Sequence, residues 1–178
     1  MSYIGRSIPR VEDQRFLTGR GRYSDDCSAS GQAWCVFVRS PHAHARIAGI
    51  DSSQALAAPG VLAVLTGADT IADGLQGVGH LPNPADAIDV SQRAFPPSND
   101  SPVIELPHWP LAIERVRHVG EPVAAVIAES LYAARDAAEL VSVDYEVLPA
   151  VVSVAEAVLE GAPRLYDEVP GNCCFRQS

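Results

Sequence analysis

The chain has 178 residues, of which 47% are hydrophobic and 20% charged. That is enough for one domain with its own core and is ordinary for a globular protein. Its net charge of −9 argues against a nucleic-acid partner, because a phosphate backbone would be repelled by the average surface. No stretch approaches the roughly 18 consecutive apolar residues that a membrane span requires. The opening segment MSYIGRSIPRVEDQRF lacks an apolar signal core, so we expect a cytoplasmic protein.

The first 30 residues are polar, rich in arginine and glycine, and without helical or strand periodicity. This composition predicts an extended amino-terminal arm over residues 1–30. The arginines at its start are Arg6, Arg10, Arg15, Arg20 and Arg22. We interpret the arm as a solvated or subunit-packing segment, and an anion site is the alternative.

Three apolar runs of strand length follow the arm. Residues 33–38 (AWCVFV) and 61–65 (VLAVL) are the clearer ones, and 45–50 is weaker. In the first run we expect Cys35 to be a small core residue.

Two capping-box patterns predict short helices beside these strands. Asp51 with Gln54 starts one helix, and Thr66 with Asp69 starts another, which Gly74 would stop. A third pattern, Ser153 with Glu156, predicts a helix that Gly161 ends.

Residues 75–110 differ in character, because they contain seven prolines and few apolar runs. These prolines are Pro82, Pro84, Pro96, Pro97, Pro102, Pro107 and Pro110. A loop of this length in a compact domain is usually functional or mobile. We predict that it belongs to a domain over residues 31–165, and that residues 166–178 are a linker.

The second half of the chain contains the clearest helix. Strands are predicted at 111–116 and 123–128, after which Ser130 caps a helix with apolar residues at helical spacing. Residues 142–147 then alternate like a half-buried strand. Mixed strands and short helices without regular βα alternation predict an α+β fold and disfavour a doubly wound nucleotide fold.

The residues that could carry chemistry form no recognisable constellation. None of the cysteines lies in a C-x-x-C pair, so their spacing supplies no iron–sulfur or zinc site. The four are Cys27, Cys35, Cys173 and Cys174. His42 and His44 would share a strand face and could hold a metal, but a turn after Pro41 explains them better. We assign no catalytic, cofactor-binding or metal residue.

Several segments in order resemble a known family. They are 4–26 (IGRSIPRVEDQRFLTGRGRYSDD), 39–47 (RSPHAHARI), 59–67 (PGVLAVLTG), 118–130 (HVGEPVAAVIAES) and 143–150 (VDYEVLPA). Together they resemble the amino-terminal domain of aldehyde oxidase/xanthine dehydrogenase large subunits, particularly the carbon monoxide dehydrogenase large-chain branch. The resemblance implies an α/β-hammerhead fold.

The resemblance also implies a role. Full enzymes of the family oxidise an aldehyde, an N-heterocycle or carbon monoxide, using a molybdenum–pterin cofactor, iron–sulfur clusters and often FAD. The catalytic glutamate and pterin contacts lie in later domains, so this chain alone is expected to be inactive. The expected partners are the molybdenum-binding domains and the iron–sulfur and FAD subunits.

By position, the end of the Pro-rich loop lies near the substrate entrance of related enzymes. We therefore expect Leu106, His108 and Trp109 to line a substrate channel, an apolar and aromatic wall suited to small planar substrates. The alternative is that Trp109 only packs the loop onto the domain. A stand-alone hammerhead binding module or truncated paralogue without redox activity is the alternative function, and a small enzyme using His42 and His44 is a third.

Overall fold

The computed structural model describes residues 4–79, 104 and 106–174. Contacts divide the chain into two units, Met1–Gln32 and Ala33–Ser178. Within the described residues, no helix is long and apolar enough to cross a membrane.

The first unit contains more regular structure than its sequence predicts. A single helical turn, α1, spans Asp13–Leu17, and a 3-10 turn spans Ser24–Asp26. The Asp13 carboxylate accepts hydrogen bonds from the backbone N and from Nε of Arg10, each at 2.9 Å. The prediction of a wholly extended arm is therefore wrong for residues 13–17, because this local ion pair supports a helix that has no apolar periodicity.

The second unit consists of eight strands and four short α-helices in its described part. The strands are β1 (Trp34–Arg39), β2 (Ala45–Asp51), β3 (Val61–Thr66), β4 (Val78–Gly79), β5 (Pro107–His108), β6 (Arg115–Val116), β7 (Pro122–Ala128) and β8 (Ser142–Val147). The helices are α2 (Ser53–Leu56), α3 (Gly67–Ala72), α4 (Leu131–Ala138) and α5 (Val154–Ala157). A 3-10 turn at Pro170–Asn172 follows. This mixture of helices and antiparallel strands confirms the predicted α+β class.

The strands form three antiparallel sheets. Their orders are β1-β7-β3, β6-β2-β8 and β4-β5. Although β7, α4 and β8 follow one another along the chain, β7 and β8 lie in different sheets. The predicted strand–helix–strand unit therefore connects two sheets and does not build one.

The core consists of two clusters of small apolar residues. In one, Val126 of β7 packs with Ala55 and Ala137, so this strand, α2 and α4 meet there. In the other, Val123 of the same strand packs with Ala45, Ala112 and Val116. Strand β7 therefore contributes to both clusters.

The strand predictions agree well with the structure, with one exception. The runs at 33–38, 45–50, 61–65, 123–128 and 142–147 correspond to β1, β2, β3, β7 and β8. Of the strand predicted at 111–116, only Arg115–Val116 pairs with a neighbour. The preceding backbone bonds elsewhere, since Ala112 N donates to the Pro122 carbonyl at 2.8 Å.

The helices predicted after Ser130, Thr66 and Ser153 all form, but only the first two have the predicted side-chain capping bonds. Ser130 accepts a hydrogen bond from Ala133 N at 3.2 Å, as expected. At α3, Thr66 N and Oγ1 both donate to the Asp69 carboxylate at 2.7 Å. Helix α5 forms, but Ser153 makes no side-chain cap bond.

Two further sequence expectations are corrected. The first predicted capping box is wrong, because α2 begins after Ser52 and the Asp51 carboxylate instead accepts a bond from Ser53 N at 2.9 Å. Cys35 is exposed on β1 and is not a core residue. Since alternate residues of a strand face opposite sides, an apolar run alone does not show which members are buried.

The two described ends of the Pro-rich loop pair with each other. Strand β4 pairs with β5, which places the described ends of loop 75–110 side by side. Its central prolines lie outside the described residues.

Near the carboxyl end of the chain, Asn172 Nδ2 donates to the carbonyls of Ala157 and Pro163 at 2.9 and 2.8 Å. This part of the predicted linker is attached to the domain as far as it is described.

We expect Gly67→Ala to destabilise the domain. A Cβ at Gly67 would lie 2.4 Å from the Ala112 carbonyl oxygen and 2.9 Å from Ile113 Cα, both backbone atoms. The free energy of unfolding should fall by about 1–3 kcal/mol, as for other overpacked positions, when measured by urea denaturation. Gly49→Ala is the control, since its nearest atom lies 3.9 Å away. Equal stability of the two variants would contradict the close approach.

Candidate functional site

A cleft of about 300 Å³ opens beside strand β5. Its wall comes from α3, β5, the segment before β6, the turn before β7 and the segment after α5. The lining residues are Ile71, Pro107, His108, Trp109, Ala112, Ile113, Glu114, Arg117, His118, Glu121 and Tyr166. A second, more open depression shares His108, Trp109, His118 and Glu121 with it. Because the two share these four lining residues, we describe them together as the β5 cleft.

Strand pairing and one glycine position the aromatic side of the β5 cleft. Val78 pairs with His108, and Gly79 with Pro107. At Gly77 an added Cβ would lie 2.5 Å from Pro107 Cβ and 3.4 Å from an atom of the Trp109 ring. The absence of a side chain at residue 77 therefore lets the two chain segments approach and places Trp109 at the cleft.

A tight turn before β7 holds the polar side of the β5 cleft. The Glu121 carboxylate accepts a hydrogen bond from Arg117 N, and its Oε2 lies 3.5 Å from His118 Nδ1. Gly120 has φ +86° and donates its N–H to the Ser40 carbonyl at 2.8 Å. A left-handed residue is needed here, which favours glycine. The Glu121 carboxylate thus stabilises the turn from within.

Arg117 fastens the segment after α5 to the β5 cleft. Its guanidinium lies 4.1 Å from the centre of the Tyr166 ring, and its Nε donates to the Leu165 carbonyl at 3.1 Å. Burial raises the pKa of Tyr166 above its ordinary value, while the nearby Arg117 charge acts in the opposite direction. Tyr166 therefore stays a neutral phenol at physiological pH and serves as a cation–π partner.

The β5 cleft combines an apolar wall with polar groups that the fold already uses. Ile71, Pro107 and Trp109 supply apolar and aromatic surface. The Glu121 carboxylate and the Arg117 guanidinium are both engaged in hydrogen bonds within the domain. Such a surface suits contact with a small, largely apolar molecule. Nothing in it pairs a nucleophile with an activating base, and we assign no reaction to it.

The structure brings two of the three predicted channel residues together. His108 and Trp109 line the β5 cleft, whereas the half-buried Leu106 is not among its lining residues. Sequence reasoning missed Arg117, Glu121 and Tyr166. The first two lie at the edge of the segment 118–130 that carries the resemblance, but Tyr166 lies in the predicted linker and gives no local signal.

The pair His42 and His44 has a structural explanation. The His42 ring packs edge-on against Tyr145, with ring centres 5.0 Å apart, and the backbone N–H of His42 donates to Ser40 Oγ at 3.0 Å. His44 is buried, and its Nδ1 donates to the Pro149 carbonyl at 2.8 Å. The two rings thus have separate partners, as expected for residues placed by a turn.

The described residues do not fit a resident metal or iron–sulfur cluster. Among them, no three histidine, cysteine or acidic side chains are grouped closely enough to hold an ion. Cys27 and Cys35 are exposed, and Cys173 and Cys174 are adjacent in sequence. We therefore derive no step of chemistry through a cofactor on these residues.

Comparison with known proteins identifies a matching family. The sequence signature described as "Aldehyde oxidase and xanthine dehydrogenase, a/b hammerhead domain" matches residues 18–90 and 85–149. Together these stretches cover more than half of the chain.

Individual relatives match almost the whole chain. It is 40% identical over 173 residues to the nicotine 6-hydroxylase large subunit of Paenarthrobacter nicotinovorans, covering 97% of this chain and 19% of that protein. Identity to the carbon monoxide dehydrogenase large chain of Afipia carboxidovorans is 41% over 166 residues, covering 93% and 18%. The crystal structure of quinoline 2-oxidoreductase from Pseudomonas putida 86 superposes with a TM-score of 0.74 at 41% identity, over 93% of this chain and 19% of that one. The chain thus spans about a fifth of the relatives it matches.

We expect Arg115→Gln to raise the pKa of Asp167. The hydrogen bond and the charge of Arg115 hold the pKa of this carboxyl below its ordinary value, and the two groups lie 3.0 Å apart. Because the folded pKa is lowered, the pair contributes stability at neutral pH that is lost as the pH falls through that pKa.

The measurement is the carboxyl ¹³C shift against pH by NMR. Asp51 is the internal control, since its pKa is lowered by hydrogen bonds from Ser53 and should not change. An unchanged Asp167 titration in Arg115→Gln would contradict the assignment of this pair.

Proposed function

The chain belongs to the aldehyde oxidase and xanthine dehydrogenase family through its α/β-hammerhead domain, and from this premise we propose that it is a non-catalytic scaffold and substrate-channel wall. In this proposal it is the amino-terminal domain of the large subunit of a molybdenum–pterin hydroxylase or dehydrogenase. The full enzyme oxidises an aldehyde, an N-heterocycle or carbon monoxide. We propose that the chain and the full enzyme are located in the cytoplasm.

The observation that carries this proposal is the extent of the match. The relatives align with nearly all of this chain, while the chain accounts for 19% and 18% of two of them. One hammerhead domain is thus matched in each, and most of each relative lies elsewhere. The catalytic and pterin-binding residues belong to that remainder, with which this domain assembles.

The cofactors of the full enzyme are held outside this chain. A molybdenum–pterin supplies the oxidation, and iron–sulfur clusters and FAD carry the electrons away. The described residues include no group of three or more histidine, cysteine or acidic side chains that could hold a metal ion. Their carriers are the molybdenum-binding domains of the large subunit and the iron–sulfur and FAD subunits.

An apolar patch supports docking to such partners. Val152, Val154, Val158 and Leu159, in and around α5, are all largely exposed, Val152 at 89% and Val154 at 86%. Four exposed apolar side chains within eight residues of sequence are more typical of an interface than of a free surface. In the full subunit they would be covered by the molybdenum-binding domains.

The channel-wall role rests on the β5 cleft. Trp109 and His108 lie at its aromatic side. The missing side chain at Gly77 lets the Trp109 ring lie close to the backbone of residue 77. A rigid indole at the rim of a passage sets its width without taking part in the reaction. Leu106 belongs to the same loop end but does not line the β5 cleft, so the channel-wall role is proposed for His108 and Trp109.

The scaffold role is tested on the native protein. We expect a polypeptide tagged at its own gene to be several times heavier than 18.9 kDa, or to co-purify with a separate molybdenum-binding subunit. Denaturing mass spectrometry and elemental analysis for molybdenum measure this directly. A chain of 18.9 kDa that is isolated alone and without molybdenum would instead favour the stand-alone binding module.

The channel-wall role is tested by Trp109→Ala in the complete enzyme. Removal of the indole should widen the passage, so the ratio of kcat/KM for a bulky substrate to that for a small one should rise by about tenfold, equivalent to about 1.4 kcal/mol. Trp34→Ala is the matched control, because Trp34 lies on β1 and does not line the β5 cleft. An unchanged ratio in Trp109→Ala would leave that residue with a packing role only.

A further inference from the structure

Two cysteines stand next to each other near the carboxyl end of the described residues. Cys173 and Cys174 directly follow the 3-10 turn Pro170–Asn172, and both are half-buried thiols. The other two cysteines of the chain, Cys27 and Cys35, are exposed and lie far away in the sequence. Nothing in the proposed scaffold or channel-wall role uses the adjacent pair, which we call the vicinal dithiol.

The fold holds the residue before the vicinal dithiol at several points. The side chain of Asn172 donates to the carbonyls of Ala157 and Pro163, and its Oδ1 accepts a hydrogen bond from Leu165 N at 3.0 Å. Its backbone is left-handed, with φ 53°, a conformation that asparagine adopts more readily than most residues. The two thiols are therefore attached to an anchored turn.

The backbone of Cys174 also binds the end of the Pro-rich loop. Its carbonyl accepts a hydrogen bond from Ile104 N at 2.8 Å, three residues before β5 begins. Cys174 also lies close enough to Tyr166, which lines the β5 cleft, for a negative charge on the thiol to raise the pKa of the phenol. The vicinal dithiol is thus connected to the approach to the β5 cleft.

The two thiols affect each other. Burial raises the pKa of Cys174 above its ordinary value, and the neighbouring Cys173 thiol raises it as well. Two thiolates side by side repel each other, so the pair does not readily carry two negative charges. A bond between the two sulfur atoms removes both ionisable protons and with them this repulsion.

We propose that the vicinal dithiol is a site of reversible oxidation, at which hydrogen peroxide converts Cys173 and Cys174 into a disulfide and thereby releases the end of the Pro-rich loop. One thiolate attacks the O–O bond of the peroxide, which gives a sulfenic acid and, after proton transfer, one water. The second thiol displaces the hydroxyl group from that sulfur, which forms the S–S bond and a second water. The two sulfur atoms together lose two electrons, and the peroxide gains them.

A disulfide between neighbouring residues should be easy to reduce. Consecutive Cα atoms are about 3.8 Å apart across a trans peptide. That is less than the span of about 4.4–6.8 Å that a disulfide usually bridges. The resulting ring is strained, and strained disulfides have the higher reduction potentials that are typical of labile, regulatory bonds. Reduced glutathione should therefore reverse the reaction.

Closing the ring also changes the backbone that binds Ile104. Cys173 is extended, with φ −112° and ψ 105°, and consecutive side chains of an extended chain point to opposite sides. To bring both sulfur atoms to one side, the chain must rotate about ψ of Cys173 and φ of Cys174. The second rotation redirects the Cys174 carbonyl, so its hydrogen bond from Ile104 N should weaken.

The first test uses the 178-residue chain with Cys27→Ser and Cys35→Ser, in which the vicinal dithiol supplies the only thiols. Hydrogen peroxide should give a monomer lighter by about 2 Da, the mass of the two thiol hydrogens. Reduced glutathione should restore the original mass, and denaturing mass spectrometry measures both steps. A product that has gained oxygen, a linked dimer, an unchanged mass or a disulfide that glutathione leaves intact would overturn the proposal.

Cys173→Ser in the same background is the matched control. With a single thiol it cannot close the ring, so peroxide should add oxygen to Cys174 or link two chains, and no monomer should lose mass. A monomer of this variant that became lighter by the same amount would show that the mass loss does not come from the vicinal dithiol.

Hydrogen exchange tests the release of the loop end. In the oxidised chain the Ile104 amide should exchange about tenfold faster than in the reduced chain, because its hydrogen bond opens more often. The Glu129 amide, which donates to the Gly60 carbonyl at the same 2.8 Å, is the control and should not change. The exchange of both amides is measured by NMR. An Ile104 amide that exchanged equally fast in both forms would overturn the coupling between the vicinal dithiol and the Pro-rich loop.

Discussion

The domain depends on one strand that is buried on both faces and paired on both edges. Strand β7 hydrogen-bonds to β1 on one side and to β3 on the other. Its Val126 enters one core cluster and its Val123 the other, while Val38 of β1 packs against both. Alanines occupy most of its remaining positions and are also buried. Because these side chains are short, α4 and the neighbouring segments approach closely, and a large residue there would separate them.

The β5 cleft depends on how the later chain returns to this framework. Arg117, two residues beyond Arg115, reaches Tyr166 and the Leu165 carbonyl. Arg115 itself reaches Asp167. These neighbouring arginines thus anchor successive residues of one segment, and Arg117 and Tyr166 complete one wall of the β5 cleft.

The sequence predicts what depends on local pattern and misses what depends on distant contacts. The buried run of β7, the cap at Ser130 and the alternation of β8 are readable because each is encoded within a few residues. The α+β class and the family follow from such segments in order. The contacts of Tyr166 with Arg117 and of Asp167 with Arg115 could not be predicted, since the two partners of each contact lie far apart in the sequence. Cys35 fails for a related reason, because a strand's apolar run does not show which face meets the core. The prediction of His108 and Trp109 as channel residues comes from family position, with no help from periodicity.

The pairing of β4 with β5 has a consequence for how the family can diversify. It ties together the two ends of the Pro-rich loop, next to Trp109. The entropy of closing a loop grows only with the logarithm of its length, so residues gained or lost between the tied ends cost the domain little. The length and sequence of the loop between β4 and β5 can therefore change during evolution while the rest of the domain keeps its fold. Under the proposed channel-wall role, the substrate range could change through a different insert between β4 and β5, without a new fold.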